Sequence, residues 1–306
     1  MKMLREKLDQ IDILSWQAPL PDENMPHGDM PGDKILINED HVVKAGKIFP
    51  LLLERLAGIT GDKAVVSVFG GSGTGKSEVA SLLTYYLQKA GIGAYVLSGD
   101  NYPRRIPLYN DAERLSIFRS EGLKGLVASG LYSSEVQKQL SLLWETEKDP
   151  DPKLAEDCEW LKEYQRCGRK ALTDYLGTER EQDYDQINQI IRDFKSGKEK
   201  IFLKRMGRSE EARWYDEIDF RQISVLLIEW THGGNENISG LDIPILLNST
   251  PEETRAHRRL RARDGKTDSD FTTMVLEIEQ LELDRRAKEA AIIISKAGDL
   301  MHPDQF

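Results

Sequence analysis

Residues 64–77 read AVVSVFGGSGTGKS: a short β-branched apolar run, Ala64 to Phe69, followed without a break by Gly70-Gly71-Ser72-Gly73-Thr74-Gly75-Lys76-Ser77. The second part satisfies G-x-x-x-x-G-K-[ST] in full and stands between an expected strand and a helix expected over 76–90. Its glycines let the backbone curl so that consecutive N–H groups face a phosphate, while the following helix start adds partial positive charge. Gly71, Ser72, Gly73, Thr74 and Gly75 supply the cradle. Lys76 is placed to reach the β- and γ-phosphates of a nucleotide, and the Ser77 hydroxyl to ligate Mg²⁺. A Gly-rich turn that binds nothing is the competing reading, disfavoured by the full match in its proper context.

Outward from this loop, short apolar runs alternate with helical stretches, the pattern of βα units in a parallel sheet. Strands are expected at 64–69, 93–98, 223–228, 243–247 and 291–295, and helices at 76–90, 111–129, 251–262 and 272–289. Asn110 with Glu113, and Thr250 with Glu253, have helix-start spacing, the second reinforced by Pro251 at the first helical position. About 120 residues separate the second and third strands, far more than a crossover requires. The part from 131 to 199 is polar and mostly helical; it reads as an insertion over the ligand edge of the sheet or, equally, as a homodimer surface. Residues 1–60 read as an accessory segment ahead of a main domain at 61–306. Leu4, Leu8, Ile11 and Leu14 suggest a short helix, 18–33 a Pro- and Gly-rich irregular crossing, and 39–57 a helix.

The chain has 306 residues, 39% hydrophobic and 31% charged, enough to bury a full core without staples. With 42 Lys and Arg against 52 Asp and Glu, its net charge of −10 makes it a poor general binder of nucleic acid or anionic membranes. No run approaches the ~20 apolar residues that span a bilayer. The charged start leads into no apolar signal region, so a cytoplasmic location is expected. Cys158 and Cys167, nine apart in a helical segment, fall on roughly opposite faces and are not expected to pair.

A phosphate loop specifies a nucleotide but not a reaction. A GTPase switch needs a guanine-reading N-K-x-D after a later strand, and Asn248-Ser249-Thr250-Pro251 lacks the Lys and Asp. In open parallel sheets ligands collect beyond the carboxyl ends of the strands. The second strand ends in Ser98-Gly99-Asp100-Asn101-Tyr102-Pro103-Arg104-Arg105. Asp100 there is a candidate general base for an attacking hydroxyl, or a residue that closes a turn. Arg104 and Arg105 read either as a clamp for an acidic or phosphorylated acceptor or as solvated charges. The third strand ends in Glu229-Trp230-Thr231-His232-Gly233-Gly234. Glu229 is the candidate Mg²⁺ partner, and His232 a candidate acceptor contact or a loop hydrogen-bonder. After the fourth strand come Arg255, Arg258, Arg259, Arg261 and Arg263, then a polar loop. They read as a lid whose arginines cover the triphosphate, with Arg259 against the nucleotide and Arg261 and Arg263 catalytic. The alternative is a cationic helix end favoured by the macrodipole.

This order (phosphate loop, Asp after strand two, Glu after strand three, Arg-rich helix and lid after strand four) resembles the phosphoribulokinase/uridine kinase family of P-loop kinases. The resemblance covers roughly 62–129 and 184–296. Asp100-Asn101-Tyr102 stands where the family has an acidic residue before an aromatic, which implies that Tyr102 also meets the acceptor. Glu229-Trp230 replaces the family's Glu-Gly, a departure that narrows the space beside the metal. Tyr184 to Lys198 resembles the family's helix leading to a substrate hairpin. Leu203-Lys204-Arg205-Met206-Gly207-Arg208 departs from the nucleoside-contacting pattern that follows, which argues against uridine. Ser98-Gly99-Asp100-Asn101 with Arg104 is also similar to a motif of adenylylsulfate kinases.

The expectation is therefore an α/β chain of the P-loop NTPase fold, with a five-stranded, mostly parallel sheet, helices on both faces and a helical insertion. The resemblance implies an ATP- and Mg²⁺-dependent kinase. Its acceptor would be a small molecule with a hydroxyl group: a sugar, sugar phosphate, nucleoside or polyol. Arg104, Arg105, Lys204 and Arg205 favour an acceptor carrying an acid or phosphate. A nucleotide-gated regulatory protein is the reading from another class.

Overall fold

The structure, a computed structural model, describes residues 4–13, 16–22, 25–261 and 269–306. The described chain begins with α1 (Leu4–Leu8), α2 (Glu39–Ala57), β1 (Ala64–Gly70), α3 (Lys76–Lys89) and β2 (Ala94–Ser98). After a 3-10 turn (Gly99–Asn101) come α4 (Pro107–Ala128), α5 (Ser134–Glu145), α6 (Pro152–Ala155), α7 (Glu159–Thr173) and α8 (Tyr184–Lys195). Then follow β3 (Lys200–Met206), β4 (Arg213–Asp219), β5 (Val225–Glu229), β6 (Ile243–Leu247), α9 (Pro251–Arg261), α10 (Asp270–Arg286) and β7 (Ile292–Ile294).

Among the described residues, five strands form one parallel sheet in the order β2-β5-β1-β6-β7, and β3 and β4 form a separate antiparallel hairpin. All seven residues of β1 are buried, as expected of a central parallel strand covered on both faces. Val66 and Val68 face one core with α2 and α3, through Phe49, Leu52, Leu53, Leu82 and Leu83. Val65, Leu97, Leu226 and Ile228 face the other, against Ile187, Ile191 and Phe194 of α8 and Ile201 and Leu203 of β3. Burying each such side chain stabilises the fold by ~1.5–3 kcal/mol before conformational entropy is counted. α2 starts at a reciprocal cap: the His41 amide donates to Asn38 Oδ1 at 3.1 Å, and the Asn38 amide to His41 Nδ1 at 3.2 Å.

The helices α4 to α7 make a third apolar cluster with α10, centred on Phe118, Leu126, Tyr164, Leu172 and Ile278. α4 and α7 pack closely through glycine: a Cβ on Gly168 would meet the Phe118 carbonyl at 2.5 Å. α8, by contrast, lies on a sheet face. No helix among the described residues is long and apolar enough to cross a membrane.

Local structure departs from the sequence reading at two places. α4 begins at Pro107, whose fixed φ suits a first helical position, so Asn110 is inside the helix and donates to Glu181 Oε1 at 3.1 Å rather than capping. The β3–β4 hairpin has no apolar alternation in β4, which is half-exposed to exposed throughout, as a charged edge strand can be. The Thr250–Glu253 cap forms as expected: the Thr250 amide donates to Glu253 Oε2 at 2.7 Å, and the Glu253 amide to Thr250 Oγ1 at 3.3 Å. Cys158 and Cys167 are both free thiols.

Candidate active site

The central position of β1 makes its carboxyl end the deepest point of the sheet edge, and the loop 70–77 opens there. Gly73 and Gly75 have φ of 79° and 92°, a left-handed conformation costly for any residue with a Cβ. At Gly70 a Cβ would stand 2.4 Å from the Leu247 carbonyl of the neighbouring β6. Gly71 and Ser72 form the outer part of the loop. The Thr74 hydroxyl and Lys76 Nζ each donate to the Gly71 carbonyl at 3.0 Å. Two residues that the motif did not announce close the loop from outside. His41 Nε2 lies 2.7 Å from where a Cβ on Gly75 would be, and the Arg258 stem lies 2.9 Å from the same point on Gly73. The Arg258 guanidinium turns back onto α9, donating to the Pro251 carbonyl at 2.7 Å.

Beside the loop, Glu229 ends β5. It is buried and accepts hydrogen bonds from Ser77 Oγ at 3.2 Å and Ser98 Oγ at 2.5 Å. Burial, followed by the negative charge of Asp100, pushes its carboxyl up to about 8, against the opposing effects of the Ser98 hydroxyl and Lys76. Asp100 is exposed on the 3-10 turn after β2, so the structure brings Lys76, Ser77, Asp100 and Glu229 to one place. Trp230 does not narrow this space. Its ring packs in the core against Tyr184, with centroids 5.4 Å apart, and under Gly99, where a Cβ would stand 2.0 Å from the indole.

The remaining acceptor-side candidates separate. Tyr102 is fully buried in the core, with the Lys204 ammonium 5.9 Å from its ring. Arg104 donates to the Glu179 carbonyl at 2.5 Å and lies 3.9 Å from Asp183. Arg105 reaches the Tyr175 hydroxyl at 3.1 Å, the Arg180 carbonyl at 3.3 Å and Glu113 at 3.4 Å. Lys204 donates to the Pro103 carbonyl at 3.1 Å, and Arg205 pairs with Asp29 at 2.9 Å and Asp216 at 3.0 Å. All four cations named as acceptor clamps thus hold partners within the chain.

His232 lies edge-on to Trp230, with ring centroids 5.3 Å apart, in a cavity of about 40 Å³ that Leu176, Gly177 and Glu279 also line. Burial pushes its imidazole down to about 4; nearby Glu181 opposes this, and Arg114 and Lys76 add to it. Glu279 of α10 was not visible as a candidate in the sequence. Burial raises its pKa, and it faces Arg114 at 3.7 Å as well as Glu181, Lys76 and Asp100. Burial alone would raise Glu181 too, but Arg114 at 2.6 Å and the Gly177 amide hold it below its ordinary value. For Arg259 and Arg261 only the helical backbone is described, and Arg263 lies outside the described residues. Among the described residues no group of three or more His, Cys, Asp or Glu is arranged to hold a metal ion.

A phosphate loop on the central strand of a parallel sheet, with a buried acid ending the adjacent strand, defines a P-loop α/β fold. No protein-family model matches the chain. Over 257 residues, 84% of its length, the chain is 34% identical to the bifunctional alpha-galactosidase/sucrose kinase AgaSK of Mediterraneibacter gnavus. The chain spans about a quarter of that relative, 23% of its length. Among solved structures, it is similar to a "putative fructose transport system kinase" from Silicibacter sp. TM1040 at 16% identity and TM-score 0.45, covering 80% of this chain and 94% of that one. A "possible uridine kinase" from Bacillus stearothermophilus matches at 14% identity and TM-score 0.36, covering 69% of this chain and 84% of that one.

Proposed function

We propose that the chain is a kinase that transfers the γ-phosphoryl group of ATP, with Mg²⁺, to a hydroxyl of an uncharged sugar. The observation that carries this reading is the juxtaposition of Ser77, Glu229 and Asp100 at the phosphate loop. A nucleotide-binding loop needs no acid on its far side; a phosphoryl transferase needs one to orient its acceptor. The 34% identical relative is named as a bifunctional alpha-galactosidase/sucrose kinase, and the kinase half of that name supports a sugar as acceptor for a chain that carries a phosphate loop.

The site suits a hard divalent cation. Glu229 is a buried carboxylate whose pKa is raised by burial and by a second carboxylate, and the Ser77 hydroxyl shares it. Ser77 and Glu229 would hold Mg²⁺, both offering the oxygen ligands that this hard cation prefers. When bound, the ion would neutralise charge on the β- and γ-phosphate oxygens. The loop amides and Lys76 grip the phosphates, Lys76 exchanging the Gly71 carbonyl for phosphate oxygen. Asp100 takes the proton of the acceptor hydroxyl as that oxygen bonds to the γ-phosphorus and the bond to the departing ADP oxygen breaks. The lid role of Arg259, Arg261 and Arg263 belongs to this proposal through sequence alone.

The charge balance around the acceptor argues for a neutral molecule. Arg104, Arg105, Lys204 and Arg205 are engaged elsewhere, whereas Glu279 feels the charges of Asp100 and Lys76, and Arg114 beside it is taken up by Glu181 and Glu279. Carboxylates accept hydrogen bonds from sugar hydroxyls and repel phosphate. The test is ADP release with Mg·ATP against neutral sugars, including sucrose, and against sugar phosphates, nucleosides, polyols and adenylylsulfate, with Lys76→Ala as the blank. A neutral-sugar signal absent from the blank is expected. A response confined to sugar phosphates would refute the charge argument, and slow release indifferent to every acceptor would refute transfer.

A further inference from the structure

We propose that Asp29 and Arg205 are positioning residues for Asp100, a buried ion pair that grips both ends of the turn carrying this candidate base. The inference rests on the kinase reading for its consequence in turnover, though not for its geometry. Residues 25–33 look like a linker in the sequence. In the structure they cross the carboxyl ends of β2 and β5, where a Cβ on Gly28 would stand 3.8 Å from Glu229 Oε1. The next residue, Asp29, joins four parts of the chain. Its Oδ1 accepts from the Ser98 amide at 2.7 Å and from Asn101 Nδ2 at 3.0 Å, so it holds the turn on both sides of Asp100. Its Oδ2 accepts from the Tyr95 hydroxyl at 3.1 Å and from Arg205 at 2.9 Å. Arg205 also donates to the Tyr95 hydroxyl at 3.1 Å and pairs with Asp216 at 3.0 Å, and the Met206 amide donates to Asn101 Oδ1 at 3.0 Å.

The cost of this arrangement shows that it is not simply a stabilising contact. The side chains of Asp29 and Arg205 are 6% and 7% exposed. Desolvation of a buried pair roughly cancels its Coulomb attraction, so well-packed apolar residues would serve stability as well or better. Burial raises Asp29 to about 6, with Arg205 the main opposing influence. What apolar residues cannot supply is direction. Charge-assisted hydrogen bonds fix the turn in angle as well as position, and the turn's own backbone contributes one bond, from the Tyr102 amide to the Gly99 carbonyl at 2.9 Å. The hairpin and the N-terminal segment are thereby locked to the residue that must meet the acceptor hydroxyl.

Two variants test the pair. Asp29→Asn keeps the shape and an oxygen for the Ser98 amide but removes the charge, while Arg205→Lys keeps charge and loses the planar fork. The measurements are Mg·ATP affinity, kcat and KM for the wild-type acceptor per nucleotide-binding site, and hydrogen exchange at the Ser98 and Met206 amides. Nucleotide affinity should stay within about twofold, and kcat should fall about 10–100-fold with a smaller change in KM, the loss typical of a displaced supporting residue. Exchange at Ser98 and Met206 should rise while the phosphate-loop helix stays protected. A lower melting temperature with unchanged kcat per binding site would show a structural role only and overturn the proposal, as would unchanged exchange. If Asp29→Asn does not fold, Arg205→Lys decides by the same readings. Absence of acceptor-dependent turnover in the wild type would count against the kinase reading, and the exchange result would still decide the clamp.

Discussion

Replacing Glu229 by Gln should remove a pH-dependent strain from the metal-free protein. Burial and Asp100 raise this carboxyl from 4.5 to about 8. The sign follows from linkage: above about pH 4.5 the unfolded chain has lost the proton that the folded chain keeps, so stability falls as pH rises and levels off above about 8. At about 1.4 kcal/mol per pKa unit, the full rise corresponds to about 3–5 kcal/mol, the lower figure allowing for relaxation and water entry. Gln retains an oxygen for the Ser98 hydroxyl and cannot ionise. Urea melts of wild type and Glu229→Gln at pH 5, 7 and 9, without metal or nucleotide, give the difference directly. The variant should be nearly equal to wild type at pH 5 and more stable by several kcal/mol at pH 9. Groups that do not interact with Glu229 cancel in the subtraction, including Asp29, whose raised pKa has the same sign, while the difference reports Glu229 together with its coupling to Asp100. A difference flat from pH 5 to 9 would refute the reasoning and, with it, the argument that this acid is held for a cation.

Three further outcomes follow from the same geometry. Asp100→Asn should retain Mg·ATP binding and lose acceptor-dependent turnover by about 10²–10⁴-fold, the usual contribution of a general base; near wild-type kcat would remove Asp100 from that role. Gly99→Ala should destabilise the fold by about 1–3 kcal/mol or more, because the new methyl meets the Trp230 ring, and a thermal melt unchanged from wild type would contradict that packing. His232, pushed down to about 4, is neutral from pH 5 to 8, so the His232→Gln to wild-type activity ratio should be flat over that range. Its stability effect has the opposite sign to that of Glu229: acidification from about 6.5 towards 4 favours the unfolded chain, where the ring can charge.

The sheet was legible because parallel strands buried on both faces read as continuous apolar runs, as in Ala64 to Phe69 and Val225 to Ile228. The loop was legible because its geometry demands glycine at fixed places. Asp100 and Glu229 could be placed because strand ends are local features and ligands gather there. The β3–β4 hairpin was implied only by the family resemblance and not by any strand pattern, because Trp214, Tyr215 and the charges of β4 face solvent rather than alternating. Asp29, Arg114, Glu181 and Glu279 escaped for a different reason. Each meets an oppositely charged partner across a long stretch of chain, and no local spacing records such a meeting. The Pro- and Gly-rich composition around Asp29 even argued for a passive connection. Arg104, Arg105, Lys204 and Arg205 taught the converse lesson, since the basic side chains that drew attention in the sequence are engaged by carbonyls, carboxylates and a tyrosine hydroxyl.

The most direct test of the account follows the transferred group itself. ATP labelled in its γ-phosphoryl group is incubated with Mg²⁺, the protein and sucrose or another neutral sugar, and the products are separated. The account predicts label covalently attached to a sugar hydroxyl, at a rate that Lys76→Ala abolishes. Label recovered only as inorganic phosphate, at the same slow rate with or without sugar, would contradict it.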